Sequence, residues 1–243
     1  MPSWPRAWGE PVGSARLRSC PEDFEVTEEL GFELSGDGEH CFLYLEKRQL
    51  NTLELVRRLA SLGGVPERQV GYSGLKDRNA VTRQWFSVGL AGRPEPDWAA
   101  LQSPGEVKLL DVQRHRRKLR RGVHRANRFR LVLRQLEGER AALQSRLQVI
   151  RDAGVPNYFG EQRFGRNGST LRQARDWARE GGRVSRDRGS LYLSALRAFL
   201  FNSLLAQRVE RGDWSVPEPG DVCMLRGSRS FFDCEAVDEA ILR

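Results

Sequence analysis

The residues best placed to do chemistry are three side by side, Lys76, Asp77 and Arg78, in the segment Gly71–Val88, GYSGLKDRNAVTRQWFSV. Val70-Gly71-Tyr72-Ser73-Gly74 leads in and is short and glycine-punctuated. Val81, Trp85, Phe86 and Val88 lead out with the β-branched and aromatic content of a buried strand. A carboxylate between two cations is a poor core element but a good way to present one acid at the floor of a cleft. Lys76 and Arg78 would favour the ionised form of Asp77, a ready nucleophile or base at neutral pH. The commoner role for such a residue is that of a turn Asp bonding its own backbone.

The elements around this segment follow from pattern. Phe24 and Val26 alternate with charges and open a half-exposed strand, and Cys41 to Leu45 form a second. From Glu22 to Glu39 there are eight acids and no Lys or Arg, which suggests a solvated face. Asn51 is placed as an N-cap, with Glu54 at capping-box spacing. Leu53, Val56 and Ala60 mark one face of the helix that follows, and Gly63-Gly64 end it. Residues 91–106 are an irregular connector, and Val107 to Val112 a strand. Asn127 to Leu133 reads as a strand burying Phe129, Leu131 and Leu133. Leu143, Leu147 and Ile150 share a helical face. Gly168-Ser169-Thr170 opens another helix, with Thr170 and Gln173 at capping-box spacing. Leu193, Leu196, Phe199, Leu200 and Leu204 give an apolar helix ending near Gly212. Residues 1–14 look like a loosely held lead-in, and 214–230 are loop-rich.

The totals narrow the function. With 243 residues, 39% apolar and 30% charged, the chain suits a soluble globular protein of one large or two modest domains. A net charge of +8 favours a polyanionic partner, with RNA foremost. Arg114 to Arg125, RHRRKLRRGVHR, holds seven Lys/Arg in twelve residues and no acid. Arg114, Arg116, Arg117, Lys118, Arg120 and Arg121 are therefore expected on RNA phosphates, although a solvated loop would show the same composition. Arg163 and Arg166 begin a second basic stretch. No run approaches the length of a membrane span, and the start lacks a signal-peptide pattern. Cys20, Cys41, Cys223 and Cys234 are scattered and expected as reduced thiols in a cytoplasm. His40, His115 and His124 sit on no metal-ligand spacing. Nucleotide-triphosphate and serine-hydrolase motifs are absent.

Three stretches, in one order, resemble the TruD family of tRNA pseudouridine synthases: Pro21-Glu22-Asp23-Phe24-Glu25-Val26, the GLKDR-AVT-QWF pattern around Asp77, and Val155-Pro156-Asn157-Tyr158-Phe159-Gly160-Glu161-Gln162-Arg163-Phe164-Gly165. The resemblance implies an α+β fold, with a mixed or antiparallel catalytic sheet and a helix-rich inserted domain. It divides the chain into a catalytic part, 1–153, and an incomplete inserted domain, 154–243, within which the sequence ends. It makes Asp77 the catalytic carboxylate, Phe24 a pocket aromatic, Asn127 a substrate-binding amide and Phe129 its packing partner, with Lys76 and Arg78 tuning Asp77 or meeting phosphate. It implies uridine-13 of tRNA as substrate. The reaction needs no metal or redox cofactor, which agrees with the missing ligand clusters, and a monomer with no membrane partner is expected.

Two other readings compete. A non-catalytic RNA-binding module would use the basic segments and have no need of Asp77. A metal-dependent nuclease would need acids from Glu22–Glu39 converging with Asp77.

Overall fold

The computed structural model describes residues 3–225 and 230–238. These form two compact units, Gly13–Gly138 and, separately, the stretch before it together with everything from Glu139 on. The units divide at Gly138/Glu139, whereas the family resemblance places its boundary at 153/154.

The first unit runs β1 (Gly13–Leu17), β2 (Phe24–Leu30), β3 (His40–Arg48), α1 (Thr52–Leu62), β4 (Val70–Tyr72), β5 (Val81–Gly89), β6 (Val107–His115), β7 (His124–Leu131) and β8 (Leu133–Gly138). Its main sheet has the order β6-β3-β5-β2-β7, with β4 on the far half of β5. The sheet is mixed, as expected: β2 and β5 are parallel and the other pairs antiparallel. β1 and β8 pair separately.

Strand alternation sorts the side chains. Leu43 opposes Phe86, Leu45 opposes Gln84 and Lys47 opposes Thr82. On that face Cys41, Leu43, Leu45, Phe86 and Val88 pack with Leu55, Val56 and Leu59 of α1 in one core. Each fully buried leucine there contributes about 1.5–3 kcal/mol relative to an exposed one. In α1, Val56 and Ala60 face the core as expected, joined by Leu55 and Leu59, while Leu53 is exposed. Asn51 stands at the N-cap, but its side chain makes no cap hydrogen bond.

The opposite face is a lattice of charge. Arg83 pairs with Glu25 and Glu46, Arg130 with Glu25, and Arg128 with Glu29, beside Tyr44 stacked on Trp85. Six of the eight acids from Glu22 to Glu39 are paired rather than left to solvent: Glu22 with Arg48, Asp23 with Arg134, Glu25 with Arg83 and Arg130, Glu28 with Lys76, Glu29 with Arg128 and Asp37 with Arg116. Phe129, Leu131 and Leu133 do not form a buried face; β7 is an edge strand and all three are half exposed or more.

The second unit contains α2 (Arg140–Ala153), α3 (Ser169–Glu180), α4 (Arg186–Arg211) and the hairpin β9 (Val222–Met224) with β10 (Phe231–Asp233). Residues 3–12 are tied down, contrary to expectation. Trp4 stacks on Tyr158, Trp8 donates to the Gly154 carbonyl, and Tyr158 donates to the Pro5 carbonyl. Asn202 of α4 brackets the Phe159 backbone, accepting from its N–H at 2.9 Å and donating to its carbonyl at 3.0 Å. Phe164 is fully buried against Leu171 and Ala198. Gly165, at φ 79°, leaves no room for a side chain, since a Cβ would lie 2.3 Å from Thr170 Oγ1. Gly168 caps α3, so Thr170 lies inside the helix and forms no capping box.

In α4 the inward positions are Tyr192, Ala195, Ala198 and Asn202, and Leu193, Leu200 and Leu204 are exposed. Leu196 and Phe199 are partly buried against Phe164, Leu171 and Ala198, so two of the five expected apolar positions face the core. Against the expectation from sequence, α4 is long and apolar enough to cross a membrane by length and composition, at 26 residues. Residues 226–229 of the expected loop-rich stretch lie outside the described residues, as do residues 1–2 and 239–243.

Candidate active site

The Asp77 loop is held from below by buried polar groups. Thr52 Oγ1 accepts from the Lys76 N–H at 3.0 Å and donates to Gln84 Oε1 at 3.3 Å. Gln84 Nε2 in turn donates to the Gly74 carbonyl at 3.1 Å. Lys47 Nζ donates to the carbonyls of Leu50 at 2.8 Å and Asp77 at 2.9 Å. Thr52, Gln84 and Lys47 are all buried, so a lost bond here would strand an unsatisfied group. The turn role and the chemical role of Asp77 coexist. Its Oδ1 accepts from the Asn79 N–H at 2.9 Å, while Oδ2 stays on a side chain 33% exposed.

The cation beside that carboxylate is Arg18, with Nη1 3.0 Å from Asp77 Oδ2. Sequence reasoning did not single it out; the available signal was a lone Arg three residues before Pro21-Glu22-Asp23-Phe24. Several contacts fix its place. β1 ends at Leu17 on β8, and Arg18 turns the chain in the left-handed region at φ 58°. The next two amides, of Ser19 and Cys20, donate to Asp23 Oδ2 at 3.0 and 3.2 Å. Asp23 is fully buried and gripped by Arg134, whose guanidinium hydrogen bonds hold the carboxyl down at about 2. The Arg18 guanidinium carbon also lies 3.9 Å from the Phe24 ring centroid, and Phe24 is 6.0 Å from Phe129. Asp77, Arg18, Phe24 and Phe129 therefore form one contiguous row: carboxylate, cation, two aromatic rings.

Lys76 and Arg78 do not pair with Asp77. Lys76 Nζ lies 2.6 Å from Glu28 Oε2, and both side chains are buried. Arg78 donates to the Gln49 carbonyl at 3.2 Å. Asn127 opposes Glu28, and Phe129 opposes Val26, across β2 and β7. They thus share a sheet face with Phe24. Asn127 Nδ2 is 2.9 Å from His124 Nε2, and His124 Nδ1 is 2.5 Å from Ser73 Oγ. Asn127 Oδ1 is buried without a hydrogen-bond partner among the described residues. The acids of the β2 region are each paired with a cation: Asp23 with Arg134, Glu25 with Arg83, Glu28 with Lys76 and Glu29 with Arg128. None is joined to Asp77, which removes the carboxylate convergence that a two-acid nuclease site requires.

The basic segment is a strap rather than a free arm. Leu119 is buried, and its N–H donates to Ser87 Oγ. Gly71 permits this crossing, since a Cβ there would lie 2.3 Å from the Leu119 carbonyl oxygen. Arg114 pairs with Glu95, Arg116 with Asp37, Lys118 donates to the Arg68 carbonyl, and Arg121 bonds the Tyr72 hydroxyl. Arg117, Arg120 and Arg125 are exposed and form no ion pair among the described residues. In the second unit Arg163 donates to Ser194 Oγ and lies over the Phe159 ring, and Arg166 is exposed.

The family model described as tRNA pseudouridine synthase D (TruD) matches residues 7–172. A tRNA pseudouridine synthase D of Methylococcus capsulatus is 52% identical over 240 residues, covering 98% of this chain and 68% of that protein. One of Nitrosococcus oceani is 50% identical over 233 residues, covering 95% of this chain and 65% of that protein. The chain thus spans about two thirds of the length of these curated relatives. A crystal structure from Methanosarcina mazei, provisionally described as tRNA pseudouridine synthase D, superposes with a TM-score of 0.56. At 24% identity, covering 85% of this chain and 49% of that one, it speaks for the fold alone. Matched by the family model over most of its length and by full-family relatives at about half identity, the chain belongs to the tRNA pseudouridine synthase D (TruD) family.

Proposed function

We propose that this chain isomerises a uridine of tRNA to pseudouridine, with Asp77 as the catalytic carboxylate. The observation that carries the reading is the row Asp77–Arg18–Phe24–Phe129 on a chain of this family. The reaction breaks the C1′–N1 bond, rotates the detached uracil, and forms C1′–C5; C5 then gives up its proton and N1 regains one. It needs one carboxylate near the sugar, a surface holding the freed base, and a grip on RNA to extrude the nucleotide. Asp77 supplies the first. Phe24 and the exposed Phe129 offer faces for the base, and the unpaired Asn127 Oδ1 is an acceptor suited to a uracil N–H. Arg18 is ion-paired with the Asp77 carboxylate and fixes its direction. Lys76 acts through Glu28 on the loop rather than on the substrate.

The unit Gly13–Gly138 would be the catalytic domain and the helix-rich unit the start of the inserted domain. Arg117, Arg120, Arg125 and Arg166 would meet RNA phosphates. The protein would act in the cytoplasm as a monomer. A non-catalytic RNA-binding module would use the same arginines, but it would have no use for a partly exposed carboxylate aligned by Arg18.

The target we infer is uridine-13. A tRNA transcript incubated with the chain, treated with carbodiimide and copied by reverse transcriptase, should stop next to position 13. Stops only elsewhere would overturn the position, and no stops at all would overturn the activity.

A further inference from the structure

Lys47 is a buried cation with no carboxylate in ion-pair contact among the described residues. It is 0% exposed on β3, and its ammonium is bound by two carbonyl oxygens, those of Leu50 and Asp77. Taking a lone ammonium out of water is costly. A leucine at this position would extend the apolar row of Leu43 and Leu45 at no such cost. The opposing residue across the sheet is Thr82, which offers no charge. The charged groups that act on Lys47 are Asp77, which favours the ammonium, and Lys76, which opposes it; Lys76 is itself engaged with Glu28.

We propose that Lys47 is a positioning residue for Asp77, fixing the loop through the Asp77 carbonyl and placing a buried positive charge beneath its carboxylate. This rests on the reading of Asp77 as the catalytic group. Two elements then hold Asp77 from opposite ends, Arg18 at the carboxylate and Lys47 at the backbone. The cost of the buried charge is the counterpart of a fixed electrostatic environment at the site. Burial also brings the Lys47 titration down to about 8. A neutral amine still has two N–H groups for the two carbonyls, so rising pH would remove the charge and leave the contacts.

The coupling is testable without substrate. The chain has four lysines, Lys47, Lys76, Lys108 and Lys118, so the side-chain carbons of an isotopically labelled sample can be followed individually by NMR. Lys47 is expected to titrate near pH 8, and Asp77→Asn should move its titration to lower pH. An unchanged titration, or one at the ordinary lysine pH, would overturn the proposal. A kinetic arm separates it from the activity reading. Lys47→Met should lower kcat roughly tenfold or more while leaving KM near the parent value, and it should lose the alkaline decline in kcat that the parent shows through about pH 8. Parent-like kcat in Lys47→Met, or an alkaline decline retained at the same pH, would overturn it. A parent chain that isomerises no uridine, yet shows the coupled titration, would sink the activity reading and leave the Lys47–Asp77 relationship standing.

Discussion

Arg18 Nη1 lies 3.0 Å from Asp77 Oδ2, although the two residues are 59 positions apart in sequence and only Asp77 is announced by its neighbours. The same guanidinium covers Phe24, so one side chain ties the carboxylate proposed as catalytic to the aromatic surface proposed for the base. Arg18→Ala should therefore lower kcat by roughly a hundredfold with a much smaller change in RNA affinity. Arg18→Lys, which keeps the charge without the flat contact on Phe24, should recover part of the loss. Single-turnover rates at saturating tRNA would decide this, and a parent rate in Arg18→Ala would contradict it.

Asp23 makes the placement of Arg18 sensitive to acid. Its carboxyl, held at about 2 by Arg134, lies below the usual 3.8. A depressed carboxylate stabilises the fold fully above the unfolded value, and the contribution is lost as pH falls from about 3.8 toward 2. Urea midpoints of the parent should fall over that window. Asp23→Asn should be less stable at neutral pH and show a flatter acid profile. Parallel profiles for the two would mean that the pair is not a stabilising one.

Glu28 and Lys76 form a buried ion pair at 2.6 Å. Removing one partner leaves the other charged and unmatched, at a cost of about 3–5 kcal/mol. Lys76→Met alone should therefore be strongly destabilised. The pair Glu28→Gln with Lys76→Met should be milder than either loss would suggest, although Glu28 Oε1 also accepts from the Trp85 N–H. A double-mutant cycle in urea tests this; additive effects would contradict it.

The arginines of the strap should divide into two groups in RNA binding. Arg117→Gln, Arg120→Gln and Arg125→Gln, which touch cations free to meet phosphate, should each reduce the slope of log affinity against log salt by up to about 1. Arg116→Gln should change the slope less, because its guanidinium is already spent on Asp37. Equal effects across the four would mean that RNA displaces the internal pairs.

Much of this was legible in the sequence, and what was not has a physical reason. The mixed sheet, α1, the Asp77 segment and the family follow from periodicity, turn residues and three local motifs. Lys76 and Arg78 were expected to flank the Asp77 carboxylate because they flank it in sequence. Successive side chains in an extended loop point apart, and the structure sends Lys76 to Glu28 and Arg78 to Gln49. Arg18, Arg134 and Lys47 were missed because their partners lie far along the chain, and no local pattern announces a cation that meets Asp77 through a strand pairing. The internal pairs of the strap around Leu119, such as Arg116 with Asp37, are not legible in composition, which reports charge and not the partners that occupy it.

The central claim is that Asp77 isomerises uridine, and release of tritium from tRNA labelled at uridine C5 tests it most directly, because C5 loses its hydrogen only when it becomes the glycosidic carbon. The expected result is release by the parent chain and none by Asp77→Asn, with the variant still folded and still binding tRNA. Equal release from both would contradict the assignment of Asp77.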